Sequence, residues 1–174
     1  MSDSPALSVR WAQRETFTQV YRRCAPQVYR YLLAKLGNVQ DAEDVTAQTF
    51  MAALAQWNTY RGEGEVAAWL IGIARRKAAR HLKQRRSLVS IETLVELPDG
   101  NLSPEDQAVR RLQLADVLRT IQYLSPDRAE VLRLHFFAGL DNTEVSRVMK
   151  KSQAAVRMLL SRALADLKKA LEEV

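Results

Sequence analysis

DNTEVSRVMKKSQAAVRMLLSRALADLKKAL, Asp141 to Leu171, carries two helical periodicities separated by only three polar residues. Asp141 and Glu144 have the spacing of a capping box, in which two side chains satisfy each other's free backbone N–H groups. Val145, Val148 and Met149 give the short first helix an apolar face. Lys150-Lys151-Ser152 is a tight connection, with the Ser152 hydroxyl placed to cap a second helix. Along that helix Val156, Leu160, Ala163, Leu167 and Leu171 recur at intervals of three and four, the stripe expected to be buried. Helices joined by so short a turn fit a DNA-binding helix-turn-helix, but also an αα-hairpin whose basic residues face water.

In a helix-turn-helix the second helix lies in the major groove with its N-terminal residues at base edges. Here those residues are Gln153, Ala154 and Arg157, with Ser161 and Arg162 one turn further on. Lys150, Lys151, Arg157 and Arg162 lie on or beside the exposed face, where a duplex phosphate backbone requires positive charge.

Upstream, Ser125-Pro126 starts another helix, a capping hydroxyl followed by proline at the first helical position, and Gly139 ends it. Before it, a helix from Gln107 has Val109, Leu112, Val117, Leu118 and Ile121 as apolar positions. SIETLVELPDGNLSPED, with Pro98, Asp99-Gly100 and Pro104, reads as an acidic linker. In the first half Phe17, Tyr21, Val28, Leu32 and Leu36 keep helical spacing, and Gly37 supplies a stop. Asn38 and Asp41 offer an N-cap and a first-turn acid to the next helix, DAEDVTAQTFMAALAQW. NTYRGEGE follows as a loop. No strand-like alternation interrupts this series, so the fold class is all-α. Two small helical domains, residues 1–87 and 105–174, are joined by an acidic linker at 88–104 that few contacts should cross.

Charge is sorted along the chain. WLIGIARRKAARHLKQRR, Trp69 to Arg86, opens apolar and ends in positive charges with no acid among them. At about 100° per residue, Leu70, Ile73, Ala74, Lys77 and Ala78 share one side, and Arg75, Arg76, Arg80, Lys83 and Arg86 the other. Overall, 26 Lys and Arg against 20 Asp and Glu leave a net +6. That excess alone can serve solubility, so the placement carries the argument for a polyanionic partner.

Asp41, Asp44 and Gln48 line one side of their helix, while Thr46, Phe50, Ala53 and Trp57 face elsewhere, toward the core. No histidine or cysteine joins the two acids, which leaves catalytic or metal chemistry without a constellation. No enzyme activity, cofactor or metal is expected. His81 and His135 read as structural, and Cys24 as a small core residue. With a single cysteine in the chain, no intrachain disulfide forms and a reducing compartment is expected. MSDSPALSVRW lacks the long apolar run of a signal peptide, and no membrane insertion is expected.

VYRYLLAKLGNVQDAEDVTAQTF, YRGEGEVAAWLIGIARRKAARHLKQRR and LSPDRAEVLRLHFFAGLDNTEVSRVM, in that order, resemble an extracytoplasmic-function (ECF) sigma factor of bacterial RNA polymerase. The similarity covers the family's second conserved region, about Phe17 to Arg86, and its fourth, about Gln107 to Leu171. It implies a non-enzymatic, dissociable subunit in the cytoplasm whose partners are core RNA polymerase, promoter DNA and an anti-sigma factor. By this resemblance Asp41, Asp44 and Gln48 face the core enzyme. Asn58, Tyr60 and Arg61, in the loop from Asn58 to Glu65, hold a base flipped from the minus-10 element, and Arg75, Arg76, Arg80 and Lys83 follow the strand being melted. Lys150, Lys151, Ser152, Gln153, Arg157, Ser161 and Arg162 meet the minus-35 duplex.

The chain departs from the family pattern in three places. Ala47-Gln48 stands where Gln-Glu is usual, Lys150 occupies the turn position usually held by glycine, and Met158-Leu159 replace more polar residues. A non-glycine residue in a left-handed turn costs about 1 kcal/mol, unless the turn takes another geometry. Two rival readings from other classes are a stand-alone helix-turn-helix regulator and a helical protein–protein adaptor. The first leaves the basic helix and the DAED helix without partners; the sorted charge argues against the second.

Overall fold

The computed structural model describes residues 15–60, 62, 65–85 and 103–172. Arg61, Arg86 and most of the expected linker lie outside them. Helix α1 spans Phe17–Leu36. It begins with a reciprocal cap, Gln19 N donating to the Thr16 hydroxyl at 3.3 Å and Thr16 N to Gln19 Oε1 at 2.8 Å. It stops at Gly37, whose φ of 69° is the left-handed conformation a side chain would oppose. Helix α2, Val39–Gln56, starts almost at once, with Asn38 Oδ1 accepting from Asp41 N at 3.0 Å. A single 3-10 turn, Trp57–Thr59, ends it. Helix α3, Val66–Gln84, packs on both α1 and α2 to close a three-helix unit.

The interior of this unit takes Val20, Cys24, Val28 and Leu32 from α1, Val45, Phe50 and Ala53 from α2, and Leu70, Ile73 and Ala74 from α3. The spacing selects Val28, Leu32, Phe50, Ala53, Leu70, Ile73 and Ala74 among these, but it misses Val20 and Val45, and Tyr21 of the expected stripe is exposed while Thr46 and Trp57 are only half-buried. Burying each aliphatic side chain is worth about 1.5–3 kcal/mol. Cys24 is fully buried, and that burial pushes its thiol pKa up.

In the second half, helix α4 spans Pro104–Tyr123 and is capped by the Ser103 hydroxyl, which accepts from Asp106 N at 3.2 Å. The helix therefore starts at Pro104 rather than Gln107, because a capping serine before proline forms a helix start. Only Leu118 and Ile121 are buried on α4, while Val109 and Leu112 are exposed. Helix α5, Pro126–Leu132, has Pro126 in its first turn, but the Ser125 hydroxyl makes no capping bond. Helix α5 continues into a π-helical segment, Arg133–Phe137, with Ala138 N donating five residues back to Arg133 O at 3.0 Å. The widened turn keeps Leu134 and Ala138 fully buried and leaves Phe136 outside. Gly139, at φ 66°, ends it as expected.

Helices α6, Asn142–Met149, and α7, Gln153–Glu172, complete the chain, α7 packing on α4, α5 and α6. On α7 Val156 and Ala163 are buried and Leu160 and Leu167 half-buried, but Leu171 is exposed, so the expected stripe loses its last member. The two helical units are not isolated from each other. The π segment packs on α1, α3 packs on α6, and one apolar core runs through both halves. The expectation of few contacts between them is corrected by this junction.

Candidate nucleic-acid interface

The α6–α7 pair has the geometry its sequence predicts. Asp141 N donates to Glu144 Oε2 at 2.7 Å and Glu144 N to Asp141 Oδ1 at 2.8 Å, a complete capping box. Lys150 closes α6 with φ 54° and ψ 44°, the only non-glycine residue at positive φ among those described. The turn thus keeps the left-handed geometry without the glycine that makes it cheap, at a cost of about 1–2 kcal/mol. Lys151 N then donates to Ser146 O at 3.0 Å, and Ser152 Oγ accepts from Ala155 N at 3.1 Å to start α7.

Gln153, Ala154, Arg157, Ser161 and Arg162 are all exposed along α7, and Lys150 is exposed beside them. Lys150, Arg157 and Arg162 have no acidic partner among the described residues. Lys151 differs: its Nζ is 2.9 Å from Asp127 Oδ2, an ion pair at the surface that links the turn to α5. Arg128 pairs with Asp166 on the same flank, bracing α5 against α7.

The basic helix α3 divides into two groups. Arg76, Arg80 and Lys83 are exposed, without an acidic partner among the described residues. Lys83 and His81 occupy the last turn, where the helix dipole favours positive charge. Arg75 is turned away, Nε lying 3.0 Å from Glu130 Oε1 and Nη1 donating to Val148 O at 3.3 Å. In this arrangement the second half holds its guanidinium, which sets Arg75 apart from the exposed cations of the same helix.

At the start of α3 an aromatic wall faces the 3-10 turn. Tyr60 stacks on Trp57 at 5.7 Å between ring centroids and lies 4.7 Å from Trp69. Trp57 also meets Phe17 edge-on at 5.4 Å, so it serves the core and the wall together. Trp69, next to an apolar run, gave no signal distinguishing it from core. Asn58 is exposed next to Trp57, and aromatic rings of this kind are what an unpaired base can stack on.

The acidic row on α2 splits as well. Asp44 and Gln48 are exposed, whereas Asp41 is buried. Arg85 donates to the Asp41 carboxylate, and His81 Nε2 stands 3.4 Å from the same Oδ2. Asp41 thus ties α2 to the end of α3 and is corrected from an exposed contact to an internal one.

Glu130 of α5 is the most heavily engaged acid. It is 5% exposed and accepts from Tyr31 Oη at 2.6 Å, Lys35 Nζ at 2.5 Å and Arg75 Nε at 3.0 Å, with Arg133 Nη1 at 3.9 Å. Burial pushes its pKa up, but the Lys35 charge, the bonds from Lys35 and Tyr31, and the Arg133 charge outweigh that and hold it below the usual carboxylate range. Burial in turn lowers the pKa of Lys35 against the pull of Glu130.

The α6–α7 pair carries cations without an acidic partner among the described residues along its second helix, and a separate cationic helix lies beside an aromatic wall. Comparison with known proteins names the family. The sigma-70 region 2 model matches residues 20–88, and the sigma-70 region 4 model matches residues 114–167. The ECF RNA polymerase sigma factor BldN of Streptomyces coelicolor is 32% identical over 92% of this chain, which spans 62% of BldN's own length. The RNA polymerase sigma-H factor of Pseudomonas aeruginosa is 32% identical over 78% of this chain and 75% of its own. The structure of CnrH in complex with the cytosolic domain of CnrY aligns with a TM-score of 0.70 over 97% of this chain and 96% of that one, at 24% identity, a likeness of fold. The chain belongs to the ECF group of the sigma-70 family.

Proposed function

We propose that this protein is a dissociable specificity subunit that brings core RNA polymerase to promoters and helps to open them, with no enzymatic activity of its own. One observation carries the reading. Two clusters of exposed, unpaired cations lie on separate units, Arg76, Arg80 and Lys83 within the region 2 match and Lys150, Arg157 and Arg162 within the region 4 match. A single DNA-reading helix needs one such surface; reading a duplex element and holding a melted one needs two.

In this reading α7 enters the minus-35 major groove, with Gln153, Arg157, Ser161 and Arg162 toward base edges and Lys150 toward phosphate. Asn58, Tyr60 and Arg61 receive a flipped minus-10 base, with Trp57 and Trp69 as the wall behind it. Arg76, Arg80 and Lys83 track the adjoining backbone, and Asp44 and Gln48 meet the core enzyme. A cytoplasmic location follows from that partner, and no helix among the described residues is long and apolar enough to cross a membrane. The sigma factor RpoE of Bartonella quintana, solved in complex with the anti-sigma factor NepR, supports an anti-sigma factor as a further partner in this reading. The test is copurification with core RNA polymerase followed by promoter-directed transcription; a chain that binds DNA but never core polymerase would be a stand-alone regulator.

A further inference from the structure

The Met158-Leu159 pair departs from the family pattern, and the structure gives its two members opposite roles. Leu159 is half-buried and packs on the core, whereas Met158 is 56% exposed on the far side of α7. Drawn at about 100° per residue, Ala154, Met158, Ser161 and Ala165 fall within about 30° of the direction opposite the buried Val156 and Ala163. Arg157 and Arg162 stand about 70° to either side of that direction. All six are exposed, and neither arginine has an acidic partner among the described residues. The centre of the outward face is therefore short and largely apolar, with its cations along both edges.

A helix lying in the major groove turns its outward centre to the base edges and its flanks to the phosphate walls. Ala154, Ser161 and Ala165 are small, so the α7 backbone can come close to the groove floor. Met158 is then the one long side chain at the centre, and it brings no donor and only a weak thioether acceptor. Base pairs offer a single apolar group in that groove, the 5-methyl of thymine; their other features are donors and acceptors. Against guanine, cytosine or adenine, Met158 would take water from polar edge atoms and return no partner. Against thymine it covers a methyl with an unbranched, adaptable chain. A scattered surface methionine needs no explanation, but this one lies midway between two exposed cations on a single helix face.

We propose that Met158 is a specificity-determining residue, which together with the methyl of Ala154 reads the 5-methyl group of a thymine in the upstream duplex element. This rests on the function proposed above in that α7 enters a duplex; it adds which base the helix favours there. Two kinds of reader then share one helix. Gln153 suits adenine and Arg157 suits guanine through hydrogen bonds, and Met158 selects thymine by covering its methyl.

The experiment uses the full chain with core RNA polymerase. Upstream elements are selected from randomised promoter duplexes, and each selected thymine is then replaced singly by deoxyuridine, which keeps the hydrogen-bonding groups and loses only the methyl. One such replacement should weaken promoter binding about 3- to 5-fold, the worth of one buried methyl group. With Met158→Ala, thymine and deoxyuridine at that position should bind alike. Met158→Gln, which exchanges the thioether for an adenine-reading amide, should end the selection of thymine there and favour adenine. Circular dichroism checks that both variants keep their helix content, as an exposed position allows. Wild type insensitive to every deoxyuridine, Met158→Ala as sensitive as wild type, or Met158→Gln still selecting thymine would each overturn the proposal. If core polymerase is not bound, the function proposed above falls, and the same duplex series is read against the free chain. Equal binding of thymine and deoxyuridine duplexes there would remove this inference as well.

Discussion

Arg85 donates to the carboxylate of Asp41, joining the end of α3 to the first turn of α2. Three residues on from Asp41, Asp44 has no such partner among the described residues and is exposed. Two acids on neighbouring turns of one helix are therefore given different work, and substitution should separate them. Asp41→Ala should destabilise the fold by about 1.5–3 kcal/mol, the range for hydrogen bonds to charged groups. Asp44→Arg should change stability by less than about 0.5 kcal/mol yet weaken binding to core polymerase. Urea unfolding and a polymerase-binding titration on both variants check this; equal stability losses would contradict the division.

Lys150 offers a case where stability and function should oppose each other. Its left-handed backbone costs about 1–2 kcal/mol, and glycine recovers part of that at an entropic cost of about 0.5–1 kcal/mol. Lys150→Gly should therefore raise stability by about 0.5–1 kcal/mol and Tm by a few degrees. The same change removes an exposed charge beside α7, so the salt dependence of duplex binding should flatten by about 0.9 log units. Thermal melts and binding across a salt series test both halves.

Arg157 and the α3 cations should fail in different ways. Arg157→Ala should cost about 1–3 kcal/mol and relax preference at one upstream base pair if its guanidinium reads that base edge. Equal weakening on every upstream sequence would make it a phosphate anchor instead. Arg76→Ala with Arg80→Ala should reduce melting on all promoters alike, because backbone contacts carry charge without sequence information. Tyr60→Ala should instead alter which downstream base is tolerated. Permanganate footprints of melted thymines, taken over a salt series, distinguish the two patterns.

Glu130 predicts a pH dependence of known sign. Its folded pKa is held below the ordinary carboxylate value, so its contribution is present above that value and lost as pH falls through the folded one. The groups facing it are Tyr31 and Lys35 from α1, Arg75 from α3 and Arg133 from its own turn. Wild type should exceed Glu130→Gln by about 1.5–3 kcal/mol near neutral pH, and the difference should shrink below the carboxylate range near about 4.3. A gap that stayed constant down to pH 3 would show that the carboxylate charge contributes nothing.

What the sequence discloses here is mostly local chemistry. Gly37, Asn38, the Asp141–Glu144 box and Ser152 act within one helical turn, so their roles can be read from neighbouring letters. The left-handed turn at Lys150 was suggested only by the family's usual glycine there, with another geometry left open, and the structure shows it. The internal partners of Asp41 and Arg75 were illegible because spacing assigns a face but not what covers it. Their partners Arg85 and Glu130 lie 44 and 55 residues away. The π segment was illegible too, since its extra residue answers to the packing of Leu134 and Ala138 and to no nearby breaker.

That extra residue acts as an angular setting. In a regular helix each residue advances the chain by about 100°. Removing one residue between Arg133 and Phe137 would restore ordinary pitch and rotate everything beyond by roughly that angle relative to α5. The direction of α7 relative to α5 is thus fixed upstream of the α6–α7 pair itself, in the five residues Arg133–Phe137. A chain one residue shorter there would keep every exposed cation of α7 and turn them all in another direction.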